Sequence, residues 1–174
     1  MIMGYKNSGC NHPVSQTRIS NTTCIIGPEN LHLANNIFIG HYNFIEASNN
    51  IKIGEGCQIT NYISILSHSS HISIRLYGKH YIKQKNHIGY VHGSVIIGAY
   101  SFIGPHSTIM PGTTIGKGCI VSAYSMVKGD FPDFAIISGN PAIVSGDTRD
   151  MDKKYLEENP QLFEFYNEWV QRNE

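Results

Sequence analysis

Five of the nine histidines of this 174-residue chain fall in one stretch, SHSSHISIRLYGKHYIKQKNHIGYVHGS, at positions 67–94. Imidazole titrates near neutrality. A histidine can therefore take the proton from an attacking hydroxyl and return it to a leaving group, which is worth about 10²–10⁴-fold in rate. Attack of a hydroxyl on a carbonyl needs such a base, because the hydroxyl is barely ionised at neutral pH. It also needs a donor for the oxyanion, which a backbone N–H at a chain corner can supply. No covalent nucleophile is required. Imidazoles are also zinc ligands, and His87 and His92 stand in an H-x4-H spacing, so metal-assisted hydration is the rival chemistry.

What this stretch interrupts is a regular pattern. In IGAYSFIGPHSTIMPGTTIGKGCIVSAYSMV, residues 97–127, an aliphatic side chain returns every six positions as Ile97, Ile103, Ile109, Ile115, Val121 and Val127. Four residues after each of the first five stands a small one: Ser101, Ser107, Thr113, Cys119 and Ser125. A helix repeats at about 3.6 and a strand at 2, so neither gives a period of six. Short flat segments joined by turns do, with each wide side chain stacked on its copy one coil later. The same rhythm runs earlier through Leu33, Ile39, Ile45 and Ile51, slips by two, and continues through Ile53, Ile59 and Ile65. Between Ser67 and Ser94 it is lost, and a long polar interruption of a regular coil reads as a functional loop.

The composition excludes several alternatives. Thirteen basic residues balance thirteen acidic ones, which gives a nucleic-acid role no electrostatic support. No run reaches transmembrane length, and the N-terminal residues lack the apolar core of a signal peptide, so a cytoplasmic location is expected. The four cysteines (Cys10, Cys24, Cys57, Cys119) then read as reduced thiols, Cys57 and Cys119 being small buried residues of the repeat. Residues 1–147 form the repeat domain, with the loop at about 67–94. Residues 148–174 change to helical spacing, with Leu162, Phe163, Tyr166, Trp169 and Val170 on one face and Asn159-Pro160 as a helix start. This tail is expected to cap the open end of the coil.

The repeat at 97–127, followed by GNPA at 139–142, resembles the hexapeptide-repeat acyltransferases. That resemblance implies an all-β fold, a left-handed parallel β-helix with a loop insertion and C-terminal helices. It also implies a homotrimer with active sites between subunits. SHSSHISIRLYG is similar to the catalytic segment of the galactoside and maltose acetyltransferases, which puts His68 in the catalytic position and Arg75 at the loop arginine. His71, in the same segment, is the second candidate. The implied reaction moves an acetyl group from acetyl-CoA to a hydroxyl, or an amino group, of a sugar or nucleotide sugar, as in surface polysaccharide biosynthesis. Arg75, Tyr77 and Lys79 would contact the acceptor, and Asn43 and Glu46, two coils upstream, would reach its hydroxyls. The coil edges at Ala99, Ser122, Ala123 and Lys128 would contact the cofactor, largely through backbone groups. His106 reads as a corner residue. The chain departs from the family where Lys128 stands one place early and Ile143 and Val144 occupy the place of a basic residue.

Two other readings compete. His87 and His92, together with His68 or His71, resemble the histidine set of γ-type carbonic anhydrases, in which zinc sits between subunits. The spacing to the next Ile-Gly is one residue longer than in that pattern, and SIRLYG has no counterpart there. No metal is therefore expected. The other reading is a catalytically silent β-helix that only binds partners.

Overall fold

A computed structural model describes residues 1–172 and shows a three-sided coil of short parallel strands. The chain visits three sheets in rotation. The first face stacks Arg18–Ile19, Phe38–Ile39, Gln58–Ile59, Phe102–Ile103, Ile120–Val121 and Ala135–Gly139. The second stacks Cys24–Ile26, Phe44–Glu46, Ser64–Leu66, Thr108–Ile109 and Met126–Val127. Leu31–Leu33, Ile51–Ile53, Val95–Ile97, Thr114–Ile115 and Asp130–Phe131 make the third.

Register explains the period of six. Ile39 pairs with Ile59, Ile59 with Ile103 and Ile103 with Val121, so the aliphatic columns run along the axis. All six aliphatics of the 97–127 series are buried. Burying each is worth about 1.5–3 kcal/mol, and the β-branched shape suits a pleated surface. The small residues also do more than fit. Ser101 Oγ donates to the Gly116 carbonyl and Ser107 Oγ to the Ser122 carbonyl, each at 3.0 Å. Corner carbonyls that the sheets leave unpaired are thereby satisfied. Glycine after the aliphatic reflects close approach: a Cβ at Gly98 would lie 2.5 Å from the Lys117 nitrogen.

The slip at Ile51–Ile53 is a longer strand rather than a broken rhythm. Ile51 and Ile53 both face inward with Lys52 outward, as do Leu31 and Leu33 around His32 in the coil before.

The three corners differ. At the first, between the first and second faces, Tyr42, Tyr62, His106 and Tyr124 take positive φ (58°, 58°, 60° and 61°), an uncommon conformation for bulky residues. Their rings stack in a ladder, at 5.2 Å for Tyr42–Tyr62, 4.9 Å for Tyr62–His106 and 4.8 Å for His106–Tyr124. The second corner, between the second and third faces, carries the interruption. The third is covered by helices α2 (Thr148–Glu158) and α3 (Phe163–Val170).

Those helices lie along the flank instead of closing the end of the coil. Trp169 packs on Tyr100 and Phe134, Lys117 Nζ donates to the Val170 carbonyl at 2.9 Å, and Arg172 faces Glu55 across 3.4 Å. Of the expected apolar face, Tyr166, Trp169 and Val170 are half-buried while Leu162 and Phe163 stay exposed. Asn159 and Pro160 do start the next turn, a 3₁₀ segment Pro160–Leu162 with Asn159 at the N-cap position, but the Asn159 side chain makes no cap bond; its amide donates back to the Tyr155 carbonyl at 2.9 Å. A cleft of about 780 Å³ remains between α2, α3 and the first face, and no helix among the described residues is long and apolar enough to cross a membrane.

Candidate active site

The second corner gathers the chemistry. In one coil it is the turn Ala47–Asn50; in the next it opens into the insertion that starts at Ser67. His68–Ser69 pairs antiparallel with Val91–His92, with His68 opposite His92, so the two ends of the insertion close as a short hairpin. The Gly93 N–H donates to the Ser67 carbonyl at 3.0 Å and ties the hairpin to the coil. Its far part holds the short helix α1 (Ser73–Tyr77) and a 3₁₀ segment, Gly78–Lys83.

Glu46 and His68 meet at this corner. Parallel register puts Glu46 beside Leu66, and Glu46 Oε2 lies 2.6 Å from His68 Nδ1. Nδ1 is buried, and the carboxylate is off the ideal N–H line, so it lacks a well-aligned hydrogen bond despite the short distance. The His68 side chain as a whole is 30% exposed, so Nε2 is the ring nitrogen left toward solvent. Glu46 is itself fixed. Ser67 Oγ donates to Oε2 at 2.8 Å, and the Ser48 N–H (3.0 Å) and hydroxyl both donate to Oε1. The Asn49 N–H in turn donates to Ser67 Oγ at 2.9 Å. Burial pushes the Glu46 carboxyl up, yet the bonds from Ser48 and Ser67 and the charge of His68 outweigh it and hold the carboxyl below its usual range.

One face of the His68 ring is covered by Tyr90, with centroids 5.2 Å apart and planes inclined by 13°. Tyr90 also leans toward His87, which stacks on Tyr81 at 4.1 Å and bonds the Tyr81 carbonyl through Nε2 at 2.9 Å. The loop's rings thus form a chain that ends on the imidazole. Burial, with the nearby Tyr81 and Glu46, pushes the Tyr90 hydroxyl above its usual range.

Several expectations need correcting. Glu46 lies one coil from His68, not two, and its buried carboxylate is taken up by contacts with His68, Ser67 and Ser48. Asn43 is buried and spent on the first corner, donating to the Thr60 carbonyl and accepting from the Ile63 N–H, each at 2.8 Å. The Tyr77 hydroxyl is occupied inside the loop, where it accepts from the Ile88 N–H at 3.0 Å. The cofactor candidates are not brought together within one chain. Ala99 is buried at the third corner with its carbonyl accepting from Gly118, Ser122 and Ala123 lie at the first, and Lys128 is exposed at the second.

The remaining candidates have simpler surroundings. His71 is exposed with Nδ1 2.8 Å from Ser69 Oγ, Arg75 is exposed and bonds the His71 carbonyl, and Lys79 is exposed. His106 is a corner residue of the ring ladder. Among the described residues no three His, Cys, Asp or Glu side chains converge as a metal-ligand group. Sequence reasoning missed the roles of Ser67 and Tyr90. For Ser67 a signal existed, since it ends the coil before the interruption; for Tyr90 there was none, because hairpin pairing brings it back across 22 residues.

Comparison with known proteins follows this geometry. Residues 82–129 match the bacterial transferase hexapeptide family (six repeats). Galactoside O-acetyltransferase of Escherichia coli (strain K12) is 28% identical over 128 residues, 72% of this chain and 58% of that protein. The chain thus spans less than two thirds of that relative, and about a quarter of others that match more closely over some fifty residues. Among solved structures, a point mutant of AntD is similar with a TM-score of 0.63 at 21% identity, over 83% of this chain and 89% of that one. It is an N-acyltransferase from Bacillus cereus in complex with dTDP and coenzyme A. A galactoside acetyltransferase in complex with coenzyme A is similar with a TM-score of 0.52 at 24% identity, over 80% of this chain and 68% of that one. At these identities the structural likeness is one of fold.

Proposed function

This chain carries the repeat of the bacterial hexapeptide transferases, and on that premise we propose that it moves an acetyl group from acetyl-CoA to a sugar hydroxyl, with His68 as general base. The observation that carries the reading is the contact of His68 Nδ1 with the buried, hydrogen-bonded Glu46 carboxylate at the one broken corner of the coil. A carboxylate at Nδ1 selects the tautomer with its proton there and leaves the Nε2 lone pair free. Nε2 takes the hydroxyl proton as the oxygen attacks the thioester carbonyl. The tetrahedral intermediate then collapses, the carbon–sulfur bond breaks, and the imidazolium returns the proton to the departing thiolate. Glu46 stabilises that imidazolium.

Other parts of the reading rest on relatives. A galactoside O-acetyltransferase relative supports a sugar acceptor, and an N-acyltransferase with similar fold makes an amino acceptor the variant to test beside it. In this proposal the coil is left-handed, as in the repeat family, and three copies assemble so that a neighbour completes each site. Trimer formation reconciles the scattered cofactor candidates, since Ser122, Ala123 and Lys128 of different copies can line one groove. A cytoplasmic location and a role in surface polysaccharide synthesis belong to the same proposal.

The test is release of coenzyme A from acetyl-CoA over a panel of free glycosides, nucleotide sugars and amino sugars. One acceptor class should give turnover, and His68→Ala should lower it by roughly 10²–10⁴-fold with the assembly intact. Chelator should leave the rate unchanged. Activity that survives His68→Ala but is lost with His87→Ala, alongside stoichiometric zinc, would sink this reading in favour of a hydratase.

A further inference from the structure

Beside the histidine corner, on the third face, lies a cleft of about 570 Å³ lined by His32, Asn50, Lys52, Ser94 and Ile96. Register places His32 next to Lys52 and Lys52 next to Ile96 on three adjacent parallel strands, all in one outward-facing row. Neighbouring strands are about 4.8 Å apart, so two basic side chains stand side by side. Neither has an ion-pair or hydrogen-bond partner among the described residues, and no carboxylate lines the cleft. In the same row the first acidic residue is Asp130, reached through Ile96 and Thr114. That is three strands away, about 14 Å at this spacing. In a chain of balanced charge, an unneutralised lysine beside a histidine in a concave site is an anion-binding arrangement.

Its position ties it to His68. Asn50 follows Asn49, whose N–H donates to Ser67 Oγ, and Ser94 follows Gly93, whose N–H donates to the Ser67 carbonyl. Both polar walls of the cleft therefore leave the corner one residue from groups that hold Ser67, the neighbour of His68. We infer that this cleft binds a phosphate or diphosphate group of the acceptor through Lys52 and His32, so that the acceptor is a phosphorylated sugar and not a neutral glycoside. Lys52 supplies charge-assisted bonds to the phosphate oxygens, Asn50 and Ser94 supply neutral donors, and Ile96 packs against an apolar part of the ligand. This rests on the acetyltransfer reading for the word acceptor, but the site itself does not.

Binding is therefore tested apart from turnover. Inorganic diphosphate, titrated calorimetrically at low salt, should bind the wild-type protein. Lys52→Gln should weaken it about 10–100-fold, with His32→Gln weakening it less. His68→Ala should bind like wild type, so a failure of the catalytic reading leaves this result standing. The other source of a phosphate is the donor, and titration of coenzyme A and of its 3′-dephospho form, which keeps the diphosphate, separates the two. If Lys52→Gln weakened either of them, the anion would be the donor's and the acceptor assignment would fall. Equal diphosphate binding by wild type and Lys52→Gln would overturn the site. So would a Lys52→Gln protein whose oligomeric state changed in sedimentation while its anion affinity did not, because the cleft would then be an interface.

Discussion

The first and second corners of the coil are built from the same repeat and differ in almost everything else. At the first, four rings with left-handed backbone stack on one another along the axis. At the second, a four-residue turn in one coil becomes a long hairpin in the next, and the only close carboxylate–imidazole contact of the described residues sits at that change. Regularity gives each side chain a neighbour of its own kind one coil away. Glu46 has no such neighbour. Where a copy of itself would lie stands Leu66, the last residue before the insertion, so its carboxylate finds Ser67 and His68. The coil provides rigidity, and its interruption provides unlike groups held at fixed distance.

The largest effect should come from breaking what the corners share. Ile109 is fully buried between Ile65 and Val127 in its column. Ile109→Asp places a charge there without a partner, which costs several kcal/mol against a total stability of about 5–15 kcal/mol. Soluble expression should fail, whereas Lys52→Gln on the outside of an earlier coil should express normally. Recovery of folded Ile109→Asp, judged by a cooperative thermal transition, would contradict the inward assignment.

How much was legible in the sequence follows from the same contrast. The columns could be read because Ile97, Ile103, Ile109 and their copies answer to sterics that repeat every coil. Ile51 and Ile53 read as a slip because a period of six does not show that both ends of one strand can face inward. His68 stood out through the break and through resemblance. The contact of Glu46 with it was not legible, because that depends on the register that sets Glu46 beside Leu66. The stack of Tyr90 on His68 depends on hairpin pairing, and no local pattern reports that. The helices were legible from spacing, but not their course along the flank, which is set by Trp169 meeting Tyr100 and Phe134.

A smaller effect, confined to the second corner, should follow Glu46→Gln. The amide removes the negative charge that stabilises the imidazolium and presents N–H donors to Ser48 and Ser67, which already donate. Turnover should drop roughly 10²-fold, less than the most severe loss from His68→Ala. Stability should change with a definite sign as well. The folded carboxyl is held below its usual range, so its contribution is present above the unfolded carboxylate pKa and is lost as pH falls through the folded value. Chemical denaturation at pH 7 and at pH 3 should show wild type losing more stability on acidification than Glu46→Gln. An unchanged kcat would remove Glu46 from the chemistry and leave it a corner brace.

The smallest effect should come from the first corner, through His106→Ala. His106 stacks on Tyr62 at 4.9 Å and on Tyr124 at 4.8 Å, with planes nearly parallel. Such pairs contribute about 0.5–1.5 kcal/mol each when well packed, and the exposure of this ladder argues for the lower half of that range. A transition-temperature loss of about 2–6 °C is expected for a chain of this size. His106→Gly separates two causes, because glycine loses the same stacking but tolerates φ of 60° without a Cβ penalty. If the glycine variant is as stable as wild type, the ladder only offsets backbone strain; if it falls with alanine, the stacking itself stabilises the corner. Turnover should be unchanged in both, since the histidine corner lies across the second face. Loss of activity at unchanged transition temperature would mean that a neighbouring copy carries its first corner into the site. The contrast between a structural corner and a chemical one would then hold within one chain but not within the assembly.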